Sequence, residues 1–359
     1  VFWSIADEQR ALADANAHEA AQRAIVADAG AALARGENDK ALALALTAVE
    51  RGNPQPQAYF VLAEAADAGA RRRFGFDAPV FAAAFSPDGA LMIAGDNNGN
   101  VRAWDPESGA EQRSMQATGG VQAFAFLPDR SGILIATERG TLDILDAVGG
   151  RSFAGGNGAP ISALALSPDG AMAFTGSLDG SVLRWDVGAQ RFDTLLFALS
   201  GAGVSGLSVD ESGALIALFN DGTLREIDPV AGGERAQSTL VYSDGPDTLL
   251  CIGSTMRFYP LLGTHWLYIG CENGLIQIWS LARGVGAASL YYTHVGHDGK
   301  VLSIDFAPDG ESFVSSSLDQ TIRLWDDEQG VVLAVFTGHK GEANQVAFDP
   351  LGRSGLTAG

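Results

Sequence analysis

A mark of the form x-x-Trp-Asp returns along this 359-residue chain at a nearly constant interval. Arg102-Ala103-Trp104-Asp105 is followed by Asp143-Ile144-Leu145-Asp146 and Leu183-Arg184-Trp185-Asp186. Then come Arg225-Glu226-Ile227-Asp228, Gln277-Ile278-Trp279-Ser280 and Arg323-Leu324-Trp325-Asp326. The steps between third positions are 41, 40, 42, 52 and 46 residues. Self-similarity at a period of this length leaves few architectures, because each unit must bury its apolar face against its neighbours.

Two further marks run in phase. One is Ser86-Pro87-Asp88-Gly89, with counterparts at Leu127-Pro128-Asp129, Ser167-Pro168-Asp169-Gly170, Asp210-Glu211-Ser212-Gly213, Ala307-Pro308-Asp309-Gly310 and Asp349-Pro350-Leu351-Gly352. The other is Asn98-Gly99, Arg139-Gly140, Asp179-Gly180, Asp221-Gly222, Asn273-Gly274 and Asp319-Gln320. Pro, Asp, Asn and Gly supply the dihedral angles that tight hairpins need. Between them lie short runs of Val, Ile, Leu and Phe. Each period therefore encodes several antiparallel strands joined by tight turns, one blade of a β-propeller. The 45 glycines are spread along the chain, as many turns require, rather than gathered in a linker.

From about Phe74 onward these marks resemble the WD40-repeat family. The resemblance implies a mainly β fold, a seven-bladed propeller, whose last blade is incomplete in this chain. It also implies a hydrogen-bonded chain of His, Ser or Thr, Asp and Trp inside a blade. The sixth repeat, from Gly296 to Asp326, carries it at His297, Ser315 or Ser317, Asp319 and Trp325. A buried carboxylate needs donors, and a histidine and an indole supply them. The order and spacing fit this structural network rather than a hydrolase, since no Gly-x-Ser-x-Gly elbow accompanies them. His294 and His297 have no evident third metal ligand. Blades one to four have no Gly-His before their first strand, so their network is expected to be incomplete.

Before Phe74, Ala and Leu recur at three- and four-residue steps, which predicts helices. Gly36 and Gly52-Asn53-Pro54 mark helix ends. Leu33 to Ala41, then Ala48 and Pro54, resemble a tetratricopeptide repeat. Residues 1–73 are thus expected to be an α-helical hairpin or TPR-like segment, and residues 74–359 the propeller. Alanine-rich helices followed by such repeats are similar to the C-terminal part of bacterial STAND-type NTPases and other multidomain signalling proteins. Arg outnumbers Lys by 20 to 3, which fits a GC-rich bacterial source.

The formal net charge is −20, and 33 of the 43 acidic residues follow Phe74 against 15 basic ones. Such a surface repels phosphate backbones, which argues against nucleic acid as a partner. No apolar run is long enough to cross a bilayer. A cytoplasmic location is expected, with tethering upstream of Val1 as the alternative. Cys251 and Cys271 fall in strands of one blade and are expected to be two free buried thiols. No phosphate loop, zinc-hydrolase motif or cofactor signature is present, so no cofactor and no enzyme activity are expected.

Blade five is longer than the rest, with Arg257, Phe258, Tyr259 and Pro260, then His265 and Trp266, inside the extra length. Tyr291 and Tyr292 stand just before blade six. Aromatics and Arg are enriched at binding hot spots. Arg257, Tyr259, His265, Trp266, Tyr291 and Tyr292 are therefore the candidate protein-binding residues, although they could equally cover their own strands. The seventh blade runs out after Leu356-Thr357-Ala358, which leaves an open ring and suggests a native chain that continues past Gly359. The function expected is a scaffold or sensor module that binds other proteins. The alternatives are an oligomerisation unit built on the helical arm and an enzyme with its site in the propeller channel.

Overall fold

The computed structural model describes residues 73–359 apart from 211, 245–246, 260–264, 309, 340 and 353, together with Ala24, Ile25, Ala27, Asp28 and Ala31. Each period folds into a four-stranded antiparallel sheet. Blade one is β1 (Val80–Phe85), β2 (Met92–Asp96), β3 (Asn100–Trp104) and β4 (Glu111–Gln116). Blade two is β5 (Val121–Phe126), β6 (Gly132–Thr137), β7 (Leu142–Asp146) and β8 (Gly150–Ser152). Blade three is β9 (Ile161–Leu166), β10 (Met172–Ser177), β11 (Ser181–Asp186) and β12 (Arg191–Ala198). Blade four is β13 (Val204–Val209), β14 (Leu215–Phe219), β15 (Thr223–Ile227) and β16 (Glu234–Thr239). A separate two-stranded hairpin follows, β17 (Val241–Asp244) and β18 (Asp247–Leu250). Blade five is β19 (Gly253–Phe258), β20 (Trp266–Cys271), β21 (Ile276–Ser280) and β22 (Ser289–His294). Blade six is β23 (Val301–Phe306), β24 (Ser312–Ser317), β25 (Ile322–Asp326) and β26 (Val332–Phe336). The last sheet has two strands, β27 (Gln345–Phe348) and β28 (Gly355–Ala358).

The burial of the second strands shows why these runs are strands. β6, β14 and β20 are buried on both faces, because neighbouring blades cover each side, and they read as nearly continuous apolar runs. Outer strands such as β4 are largely exposed and polar. A register shift recurs near the start of the inner strand in all six four-stranded blades, for instance between Val80 and Ala82 and between Val301 and Ser303. Beside it, small residues let the next blade come close. A Cβ on Gly176 of β10 would lie 2.3 Å from Val204, the first residue of blade four. Gly95 and Gly270 make the same room for Val121 and Val301. Serine hydroxyls stitch adjacent inner strands, with Ser162 donating to the Val204 carbonyl and Ser254 to that of Val301.

The inner strands form a closed circuit. β1 lies beside β5, β5 beside β9, β9 beside β13, β13 beside β19, β19 beside β23, β23 beside β27, and β27 returns to β1. Asn344 Nδ2 donates to the Val80 carbonyl at 3.0 Å across this last junction. The expected open ring is therefore closed at its centre, with a shortened blade between blades six and one.

Two expectations are corrected. The described residues form six four-stranded blades rather than seven, because a single residue, Gly359, follows β28 and the seventh sheet gains no third strand from it. The α-helical hairpin or TPR-like segment is not among the elements of the described residues, which are strands and one 3-10 turn, Val285–Ala287. Within that stretch the described residues Ala24, Ile25, Ala27, Asp28 and Ala31 have helical backbone. The remainder, including the positions of the tetratricopeptide resemblance, lies outside the described residues.

The expected free thiols are also corrected. Cys251 and Cys271 are joined in a disulfide, with their Cα atoms 5.3 Å apart. Cys251 lies just before β19 and Cys271 ends β20. The register shift at the start of β19, where Gly253 faces Cys271, brings the two together.

Candidate functional site

In blade six the loop before β23 brings His297 over the turn between β24 and β25. His297 Nδ1 lies 2.8 Å from Asp319 Oδ2, and its Nε2 lies 2.7 Å from Ser315 Oγ. With Asp319 ionised, Nδ1–H donates to the carboxylate and the Ser315 hydroxyl donates to Nε2. Ser317 does not join this chain; its hydroxyl donates to the Gly299 carbonyl and receives the Asp319 N–H. Trp325 is buried in β25. Burial opposes charge on Asp319. Hydrogen bonds from the Thr321 hydroxyl, His297 and the N–H groups of Thr321 and Asp298 outweigh it and hold the carboxyl at about 2. A serine, a histidine and an aspartate are thus linked in the order a hydrolase uses. Ser315, however, sits mid-strand with no exposed surface, so no acyl substrate reaches its oxygen.

The other blades build substitutes that the sequence did not announce. In blade three Asn157 takes the histidine's place and donates to Asp179 at 3.2 Å and to Ser181 Oγ at 2.6 Å, while Trp185 Nε1 donates to Thr175 Oγ1 at 2.8 Å. In blade two the wholly buried Asp143 accepts from the N–H and hydroxyl of Thr118, and Thr118 also meets Thr141. In blade five Trp279 Nε1 donates to Gln277 Oε1 at 3.0 Å. In blade one the buried Asp96 accepts from Asn100 and from its own turn. All these groups satisfy buried polar atoms, and the networks hold the turns.

The six candidate binding residues of blade five divide in two. Arg257 pairs with Asp305 of blade six at 3.0 Å and keeps an exposed stem. Tyr259 donates to the Gly310 carbonyl and packs on Tyr268 and Phe306, so it belongs to the joint between blades five and six. Tyr268 in turn donates to Asp327; burial, then this hydrogen bond and the charge of Asp327, push the phenol up.

Trp266 of β20 and Tyr291 of the outer strand β22 meet as a tilted ring pair, centroids 4.6 Å apart and planes at 51°, and Tyr291 is 69% exposed. Tyr292 follows on the same edge strand, 45% exposed, with its ring against His294. His265 is exposed at the rim of a small cleft of about 40 Å³ that Asp210, Glu226 and Phe258 also line. A larger cleft, about 260 Å³, is bordered by Asp88, Asp105 and Glu107 of blade one. Among the described residues no cluster of three His, Cys, Asp or Glu side chains suits a metal ion, and no helix is long and apolar enough to cross a membrane.

Residues 71–105, 150–186 and 288–326 match the WD40 family, a WD domain or G-beta repeat. The first segment covers β1 to β3, while the second runs from β8 to β11 and the third from β22 to β25, so these two repeats each span the outer strand of one blade and the first three strands of the next. The chain is 24% identical over 296 residues to the human angio-associated migratory cell protein, covering 73% of this chain and 61% of that one. It is 23% identical over 259 residues to the DENN domain and WD repeat-containing protein SCD1 of Arabidopsis thaliana, covering 69% of this chain and 20% of the relative. Over 94 residues it is 33% identical to an uncharacterised WD repeat-containing protein of Synechocystis, covering 26% of each. The chain spans less than two-thirds of the length of each of these relatives. Strand order, turn marks and repeat matches agree: the chain is a β-propeller, and three of its segments match the WD40 repeat.

Proposed function

We propose that the propeller is a binding module that holds a partner protein at the outer edge of blade five. The observation that carries this reading is the tilted Trp266–Tyr291 ring pair with the exposed Tyr292 beside it, the two tyrosines lying on β22, whose far edge has no partner strand among the described residues. Large rings that are exposed yet held by a neighbour present apolar area at low cost in side-chain entropy. His265, exposed, precedes Trp266 in the chain. Tyr259 drops out of the patch, because its hydroxyl and ring are engaged between blades. The net charge of −20 disfavours a nucleic-acid partner. In its finer form the reading is a scaffold or sensor module within a larger bacterial signalling protein. The Arg-rich, Lys-poor composition supports a bacterial source, and the greater length of the relatives supports a module's role.

A photo-crosslinker placed at Tyr291 tests this against one at Leu195, an exposed apolar residue of the outer strand of blade three. The reading expects a discrete cross-linked protein from position 291, absent from 195 and lost with Trp266→Ala. The same products from both positions contradict it.

A further inference from the structure

The β17–β18 hairpin is the one element, among the described residues, that interrupts the strand order between two blades. It is rooted at the end of the ring where second and third strands turn. Thr239 of β16 faces Thr223, beside the turn at Gly222, and Leu240 N–H donates to the Gly222 carbonyl at 2.8 Å. The hairpin's foot is closed by Cys251 N–H donating to the Leu240 carbonyl at 3.1 Å. Leu240 and Cys251 are both buried, in the cluster that holds Ile216, Leu218, Leu267, Ile269 and Cys271. The hairpin pairs with no further strand among the described residues, and a lone two-stranded hairpin has marginal stability. Its foot is cross-linked to the second strand of blade five by the bond from Cys251, immediately after β18, to Cys271, the last residue of β20, in addition to the short backbone link from Cys251 into β19.

We propose that the Cys251–Cys271 disulfide is a structural staple that anchors this inserted hairpin to blade five, and that the chain acquires it by folding in an oxidising compartment. Both sulfurs lie in the core, out of reach of thiols once the blade has closed, so the bond forms during folding and then resists reduction. The Cys251 thiolate attacks an external protein or glutathione disulfide, forming a mixed disulfide and releasing one thiolate. The Cys271 thiolate then attacks the Cys251 sulfur and releases the second. The two electrons pass to the external disulfide, and the protons of the two cysteines go to solvent or the leaving thiols. A persistent disulfide is rare where glutathione keeps thiols reduced. The proposal therefore departs from the cytoplasmic location expected from sequence.

Two measurements test it on the full chain. The reduced, unfolded protein is refolded with and without a glutathione redox couple, denatured without reductant and treated with a thiol-alkylating maleimide. The proposal expects no label after oxidative refolding and two labels once reductant is added. Two labels after oxidative refolding overturn it.

In the second measurement, chymotrypsin cleavage at Tyr242, Leu249 or Leu250 is followed in the oxidised wild type, in Cys251→Ser/Cys271→Ser and in the better-packing Cys251→Ala/Cys271→Val. The wild type unfolded, reduced and refolded without oxidant serves as a form with no substitution. Loss of the bond is expected to speed hairpin cleavage at least tenfold while cutting in blades two and three stays unchanged. Equal rates overturn the anchoring role. Cutting spread over all blades overturns its local character.

Discussion

Gln320 stands with φ 70° at the turn position that Gly99, Gly140, Gly180, Gly222 and Gly274 fill in the other five blades at φ 75–85°. Left-handed backbone costs a side-chain-bearing residue about 1–2 kcal/mol, and glycine escapes that cost. Gln320 is exposed, so its side chain contributes little packing. Gln320→Gly is expected to stabilise the protein by about 1 kcal/mol, read as a higher urea midpoint at an unchanged slope. Gly180→Ala runs the other way, because a Cβ there would sit 2.0 Å from the Leu199 carbonyl. It should cost about 3 kcal/mol or more. His294 gives a pH signature. Burial depresses it to about 4, against a weaker opposing hydrogen bond with the Gly330 backbone. The unfolded chain binds this proton near 6.5. Its contribution is full above that pH and is lost as pH falls towards 4, about 3 kcal/mol in all. His294→Phe should flatten stability against pH across that window. Asp319, held at about 2, acts lower, with its contribution lost between the ordinary carboxylate range and 2.

At the scale of the element, what was legible was what is local. A hairpin turn depends on four adjacent residues, so Pro-Asp-Gly and Asn-Gly marks locate the strands directly. The blade-six network was legible because its histidine sits in a recognisable Gly-His pair. Asn157 and Thr118 carried no such mark. Each reaches its carboxylate from 22–25 residues away, and only blade closure sets that approach. The same holds for Cys251 and Cys271, whose meeting depends on a one-residue register shift. The length of blade five was seen and partly misplaced, since much of it is the β17–β18 hairpin rather than the segment around Tyr259. Blade three tests these networks. Thr175→Val keeps the shape and leaves the buried Trp185 indole N–H without its acceptor. A loss of about 1–3 kcal/mol is expected in denaturant unfolding followed by tryptophan fluorescence.

For the molecule as a whole, repeat counting alone gave a seventh position half-filled and a ring left open. Closure instead rests on the innermost strands, where β27 meets both β23 and β1. Two strands suffice there because Phe348 N–H donates to Asp305 of blade six at 2.8 Å and Asn344 to Val80 of blade one. A closed circuit leaves each inner edge short and protected. It also gives each blade a rigid place from which edge residues such as Tyr291 are presented. Hydrogen exchange on the full chain, followed by mass spectrometry, tests this closure most directly. Amides of β27 are expected to exchange as slowly as those of β1 and β23, and Asn344→Ala to speed exchange in β27 and β1 together. Exchange of β27 at the rate of an outer strand such as β4, in the unmodified protein, would contradict the closed ring.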